Sequence, residues 1–84
     1  MEMYNVIALD DDYTPFQWVI YVLENIFEKQ YEEAVKITLN THKCGSFVVG
    51  AYPEDMAKQK IEKAMEASAK EYTHFKMKLE KAEI

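Results

Sequence analysis

The spacing of hydrophobic and polar positions changes repeatedly along this 84-residue chain, and each change marks an element. Tyr4 to Asp10 holds Tyr4, Val6, Ile7 and Leu9, a short β-branched and aromatic run that ends in acidic turn residues, which predicts a strand. From Thr14 the spacing is helical: Phe16, Val19, Ile20, Leu23, Ile26 and Phe27 form one broad apolar face, with Trp18 and Tyr21 off it. The start of that helix carries its own punctuation. Thr14 offers a capping hydroxyl, Pro15 suits the first helical position, and Gln17 three residues after Thr14 completes a capping box.

A second helical pattern begins near Tyr31. Tyr31, Ala34, Val35, Thr38, Leu39 and His42 recur at spacings of three or four, so His42 is expected one turn beyond Thr38 on the inward side. Gly45 supplies the stop. Ser46 to Tyr52, with Phe47, Val48 and Val49 in succession, predicts a second strand buried on much of both faces. Pro53-Glu54-Asp55 opens a third helix, whose apolar stripe is Met56, Ala57, Ile61, Ala64, Met65, Ser68 and Tyr72. The period then drops to two: Phe75, Met77 and Leu79 alternate with Lys76, Lys78 and Glu80, the mark of an edge strand guarded by lysines. The order β-α-α-β-α-β, with no repeat and no linker, implies an α+β sandwich in which a three-stranded antiparallel sheet packs against three helices. Residues 1–84 are expected to form a single domain.

Composition narrows the function. At 49% hydrophobic residues the chain suits one small core, burying roughly 60% of its unfolded surface. A net charge of -5, with ten basic residues spread among fifteen acidic ones, argues against nucleic acid. The single cysteine, Cys44, excludes an internal disulfide and fits a reducing compartment. No apolar run approaches membrane-spanning length, and Met1-Glu2-Met3-Tyr4 lacks the basic start and apolar stretch of a signal peptide. A cytoplasmic monomer without membrane contact is therefore the expectation.

The candidate chemistry lies in Asp10-Asp11-Asp12-Tyr13-Thr14-Pro15. Adjacent carboxylates repel one another, and a helix cap needs only one, so the run is either a solvated turn or a place for something cationic. Catalysis is not expected: the other histidine, His74, falls at the predicted start of the last strand, and no serine suggests a nucleophile triad. Nor is a metal or other cofactor. An EF-hand alternates its ligands around a central glycine, whereas these acids are consecutive and point in diverging directions. An organic ammonium fits better, because its three N–H donors and single charge can be satisfied by carboxylates and a neutral imidazole, for which His42 is the candidate. Beside that rim, Phe16, Val19, Thr38 and Thr41 on the inward faces of the first two helices would wall an apolar hole. Such a shape suits a free N-terminal amino acid with a large side chain.

These residues resemble those of the ClpS adaptors, N-recognins that select proteins by their N-terminal residue for the Clp protease. The family pattern has Asn-Asp-Asp-Tyr-Thr-Pro after a first strand and ends its second helix in a histidine. This chain has Asp10 to Pro15, then Leu39-Asn40-Thr41-His42, then Gly50-Ala51-Tyr52, with Asp55 and Lys60 where the family has an acid and a lysine. The resemblance implies that Asp11 and His42 hold the substrate's α-amino group, with Asp10 where an asparagine usually completes the trio. It implies that Asp12 shapes or charges the rim. It gives Thr14, Phe16, Val19, Thr38, Thr41 and, from the last strand, Phe75 as the lining of a side-chain pocket for Phe, Tyr, Trp or Leu. It also implies that Asp55 and Lys60 touch the N-terminal domain of a ClpA-type unfoldase.

Three departures stand out against that pattern. Asp10 exchanges an amide for a second negative charge, Thr38 stands where the family usually has a bulky gatekeeper, and Phe16 where methionine is common. The smaller Thr38 is expected to admit Ile and Val at the substrate terminus. Only Met1 to Met3 precede the first strand, where family members carry a flexible extension used in delivery. The competing expectation is a non-enzymatic interaction domain similar to the C-terminal domain of the ribosomal stalk protein, with no pocket for an amino terminus.

Overall fold

The computed structural model describes residues 2–82, so Met1 of the N-terminal stretch considered above lies outside the described residues. In chain order the elements are β1 (Met3–Leu9), α1 (Phe16–Asn25), α2 (Tyr31–Cys44), β2 (Ser46–Pro53), α3 (Glu54–Lys70) and β3 (Lys76–Lys81). The sheet order is β2-β1-β3 with both pairings antiparallel, giving the α+β architecture the periodicities imply. β1 is central. Its Val6 and Ala8 are fully buried against the helices, and Ile7 is buried on the opposite face, beside Val48 of β2 and Lys78 of β3.

Small residues bring α3 close to the sheet. Ala57, Ala64 and Ser68 are buried on it, and Val19, Val22 and Leu23 of α1 meet Ala34 and Ile37 of α2 in the same core. Between Val6 and Ile7 the register slips, so that Gly50 and Val48 face consecutive β1 residues and Val49 is left over as a bulge, its side chain buried in the core. Bulges of this kind bend an edge strand over what it covers.

Several expectations need correction. β2 is an edge strand rather than one buried on both faces, with Phe47 37% and Val48 43% exposed, because β1 takes the central place. The Thr14 capping box does not form: α1 begins at Phe16 with Pro15 at its N-cap and no side-chain cap, since the Thr14 hydroxyl is used elsewhere. Tyr31, Leu39 and Met56 are exposed although placed on inward stripes, while Val22 and Ile37, left off those stripes, are buried. Trp18 is not free of the core either; its ring meets Tyr72 and Phe75 edge-on at 5.4 and 5.1 Å. His74 and Phe75 precede β3, which begins at Lys76.

Candidate functional site

One backbone bond ties the acidic turn to the end of α2 beside the hollow they share. Gly45 takes up a left-handed conformation (φ 87°) at the end of α2, which only glycine adopts without strain, and its carbonyl then accepts the Asp10 amide hydrogen at 2.9 Å. That bond sets the first acidic residue beside the last turn of α2. His42 Nδ1 consequently lies 3.4 Å from Asp10 Oδ1, across 32 residues of sequence. His42 is exposed at the rim rather than inward as its spacing implied, with its ring edge-on to Phe16 at 5.0 Å.

Asp11 is built into the turn. Its Oδ1 accepts the Tyr13 and Thr14 amide hydrogens at 2.8 and 2.7 Å, and its Oδ2 accepts the Thr14 hydroxyl at 2.8 Å. Burial pushes the Asp11 carboxyl up, but the Tyr13 amide, the Thr14 hydroxyl and amide, and nearby His74 together outweigh it and hold the group below its ordinary value of 3.8. A carboxylate has about four acceptor positions, so three internal bonds leave one on Oδ2 for an outside donor. Here lies the reason for the missing capping box: Thr14 stabilises the Asp11 turn instead of the helix.

Beneath this rim is a hollow lined by Leu9, Asp10, Asp11, Thr14, Phe16, Val19, Thr38, Thr41 and Phe75. The two threonines face it as apolar walls. Thr38 and Thr41 donate their hydroxyls to the Ala34 and Ile37 carbonyls, each at 2.8 Å, which satisfies the polar atoms inside α2 and leaves the methyls to pack. Phe75, 1% exposed, is delivered by the turn after α3, where the Ser68 hydroxyl reaches the Tyr72 carbonyl at 2.6 Å and the Phe75 carbonyl at 3.1 Å.

Of the residues the sequence singled out, Asp10, Asp11, Thr14, Phe16, Val19, Thr38, Thr41 and Phe75 meet at this hollow, with His42 at its edge. Asp12 is exposed and outside the lining. Asp55 and Lys60 lie elsewhere, on α3. Asp55 is exposed beside Glu2, Tyr4 and Glu54, whereas the Lys60 ammonium donates to the Ile26 carbonyl at 2.9 Å and sits over the Phe27 and Tyr52 rings at 5.9 and 5.5 Å. Two participants were not anticipated. Leu9 joins the lining from the end of β1. Tyr13 stacks on His74 at 4.1 Å, a pairing of distant turns that no local spacing signals. Among the described residues no group of three or more His, Cys, Asp or Glu is placed to hold a metal ion, and no helix is long and apolar enough to cross a membrane.

Known proteins resemble this chain in sequence and in fold. The family model described as "ATP-dependent Clp protease adaptor protein ClpS" matches residues 1–80. The ClpS adapter of Nautilia profundicola is 48% identical over 74% of this chain, and those of Phenylobacterium zucineum and Caulobacter vibrioides are each 40% identical over 86% of it. The matched segments span 64%, 65% and 65% of those relatives' own lengths. Among solved structures, Agrobacterium tumefaciens ClpS2 bound to L-phenylalaninamide superposes with a TM-score of 0.91 at 27% identity, covering 96% of this chain and 98% of that one.

Proposed function

This chain belongs to the ClpS family of adaptors for the ATP-dependent Clp protease, which are not catalytic enzymes, and from that premise we propose that it binds the free N-terminal residue of substrate proteins in the hollow beneath the acidic turn. The terminal ammonium is met at the rim by Asp10, Asp11 and His42, and the first side chain enters between Thr14, Phe16, Val19, Thr38, Thr41 and Phe75. Phe, Tyr, Trp and Leu are the residues selected, with Ile and Val admitted beside the small Thr38. Asp12 adds charge at the approach to the rim.

The observation that carries this reading is the joining of an acceptor-rich rim to an apolar hollow, made by the Asp10 to Gly45 bond and the 3.4 Å approach of His42 to Asp10. Support comes from the Agrobacterium relative, whose ligand is an amino acid with a free α-amine and a blocked carboxyl. That is the chemistry of a protein's first residue. A bound terminus would then be handed to the N-terminal domain of a ClpA-type unfoldase, in the cytoplasm and by a monomer. Docking on α3 would draw on the exposed carboxylate of Asp55, with Lys60 holding the surface in shape through Ile26.

A panel of short peptides differing only in the first residue tests the reading. Phe-headed peptides should bind, and acetylating the α-amine should abolish binding, since the modification removes the charge and two of the three donors. An acetylated peptide that binds as well as the free one would instead identify a surface-docking domain.

A further inference from the structure

We propose that Trp18 sets the position of the hollow's wall through Phe75, and so decides how large a first side chain the adaptor accepts. The inference rests on the recognition reading above and assigns Trp18 as a positioning residue. Phe75 is 1% exposed and lines the hollow, and the Trp18 ring meets it edge-on, with centroids 5.1 Å apart and planes at 73°. Trp18 itself does not line the hollow, so it acts on an occupant only by way of Phe75. Tyr72 meets the other end of this contact, edge-on to Trp18 at 5.4 Å, which joins three rings in series from the end of α3 to the hollow.

Backbone bonds anchor the main chain of Phe75 but not its ring. Its amide donates to the Tyr72 carbonyl at 3.1 Å and its carbonyl accepts the Ser68 hydroxyl at 3.1 Å, which leaves the side-chain torsions to packing. Tyr13, stacked on His74 at 4.1 Å, holds the preceding residue to the acidic turn, so the segment as a whole cannot slide away. What remains adjustable is the Phe75 ring, and Trp18 is the ring against it. Filling the helix core does not account for a tryptophan there, because Val19, Val22 and Leu23 are the buried residues of α1. Interiors are close-packed, so a smaller residue at position 18 lets the Phe75 ring retreat into the vacated space and deepens the hollow.

Affinities for peptides headed by Leu, Phe and Trp test this in the original protein, Trp18→Leu and Trp18→Phe. In Trp18→Leu, Trp-headed peptides should gain on Leu-headed ones by roughly tenfold, the scale of one methylene in an apolar pocket. Trp18→Phe keeps a ring against Phe75 and should restore most of the original ratio. Lost stability lowers every affinity by a common factor and leaves the ratio alone. An unchanged ratio in Trp18→Leu therefore overturns the proposal and leaves Trp18 a packing residue. A second arm needs no variant: Trp18 is the only tryptophan in the chain, so its fluorescence reports the ring next to Phe75. A saturating Leu-headed peptide should shift that emission, and its α-acetylated counterpart should not. Emission that stays fixed at saturation, or that moves equally with both peptides, overturns the coupling. Failure of the unaltered protein to bind any free-amine peptide overturns the recognition reading and this proposal together, whereas intact binding with fixed ratios and fixed emission overturns this proposal alone.

Discussion

The Asp10 amide donates to the Gly45 carbonyl at 2.9 Å, and this bond ties the acidic turn to the end of α2. It depends on the left-handed backbone of Gly45 (φ 87°), where a side chain adds strain. Nothing lies within 4 Å of a Cβ built there, so the strain is conformational rather than steric crowding from neighbours. Gly45→Ala should therefore destabilise the fold by about 1 kcal/mol in urea unfolding. It should also weaken peptide binding beyond that cost, by displacing His42 from Asp10. Unchanged affinity and unchanged stability would show that the glycine is dispensable.

Asp11 and Thr14 give a pH dependence. The carboxyl of Asp11 is held below 3.8 in the fold, so it contributes stability that is fully present above that unfolded value and is lost as pH falls through the lower folded value. Asp11→Asn should cost stability at neutral pH, and its difference from the original protein should shrink below about pH 4. Urea midpoints measured from pH 6 down to pH 2.5 for both proteins check this. A difference that stays constant across the range would remove Asp11 as the group responsible.

Thr38 is nearly buried, with its hydroxyl satisfied by Ala34, so the space it leaves in the hollow is apolar. Thr38→Met fills that space with a flexible chain that a planar ring can slide past more readily than a β-branched one. Discrimination between Phe-headed and Ile- or Val-headed peptides should sharpen, by roughly tenfold on the scale of one or two methylenes in a pocket. The panel of first-residue peptides measures it, and identical relative affinities before and after the change would count against Thr38 as gatekeeper.

Lys60 and Asp55 should separate cleanly. Lys60→Met removes the donor to the Ile26 carbonyl and the charge over Phe27 and Tyr52, and is expected to destabilise the fold by about 1 to 2 kcal/mol with amide shifts in residues 26–30. Asp55→Ala should leave the unfolding midpoint within about 0.5 kcal/mol while reducing unfoldase binding. Chemical denaturation alongside titration with an unfoldase N-terminal domain distinguishes them. An exposed Asp55 whose loss affects neither quantity would have no part in docking.

Much of the element order was legible because local signals agree with one another. Pro15, Gly45 and Pro53 punctuate the chain where α1, α2 and α3 begin or end, and the alternation from Phe75 marks the lysine-flanked β3. The site was legible for a different reason. Asp10 and His42 carry a chemistry that their turn and helix do not need, and the resemblance to a known family added Asp11 and the pairing of all three. The errors share a cause. Phe47-Val48-Val49 reads equally well as a central or an edge strand, since periodicity does not say which strand lies in the middle. Thr14 has the right spacing for a cap, yet Asp11 three residues earlier competes for its hydroxyl.

From the residues alone came the elements, their order and the kinds of groups available, because helical and strand periods, caps and charge are properties of neighbours in the chain. Only the folded molecule decided that β1 lies between β2 and β3, that His42 sits at a rim rather than in the core, and that Tyr13 stacks on His74. Those relationships join residues from 32 positions apart (Asp10 and His42) to 77 (Tyr4 and Lys81). Their distances follow from how three helices share one core against a bulged sheet, which no local interval along the chain encodes.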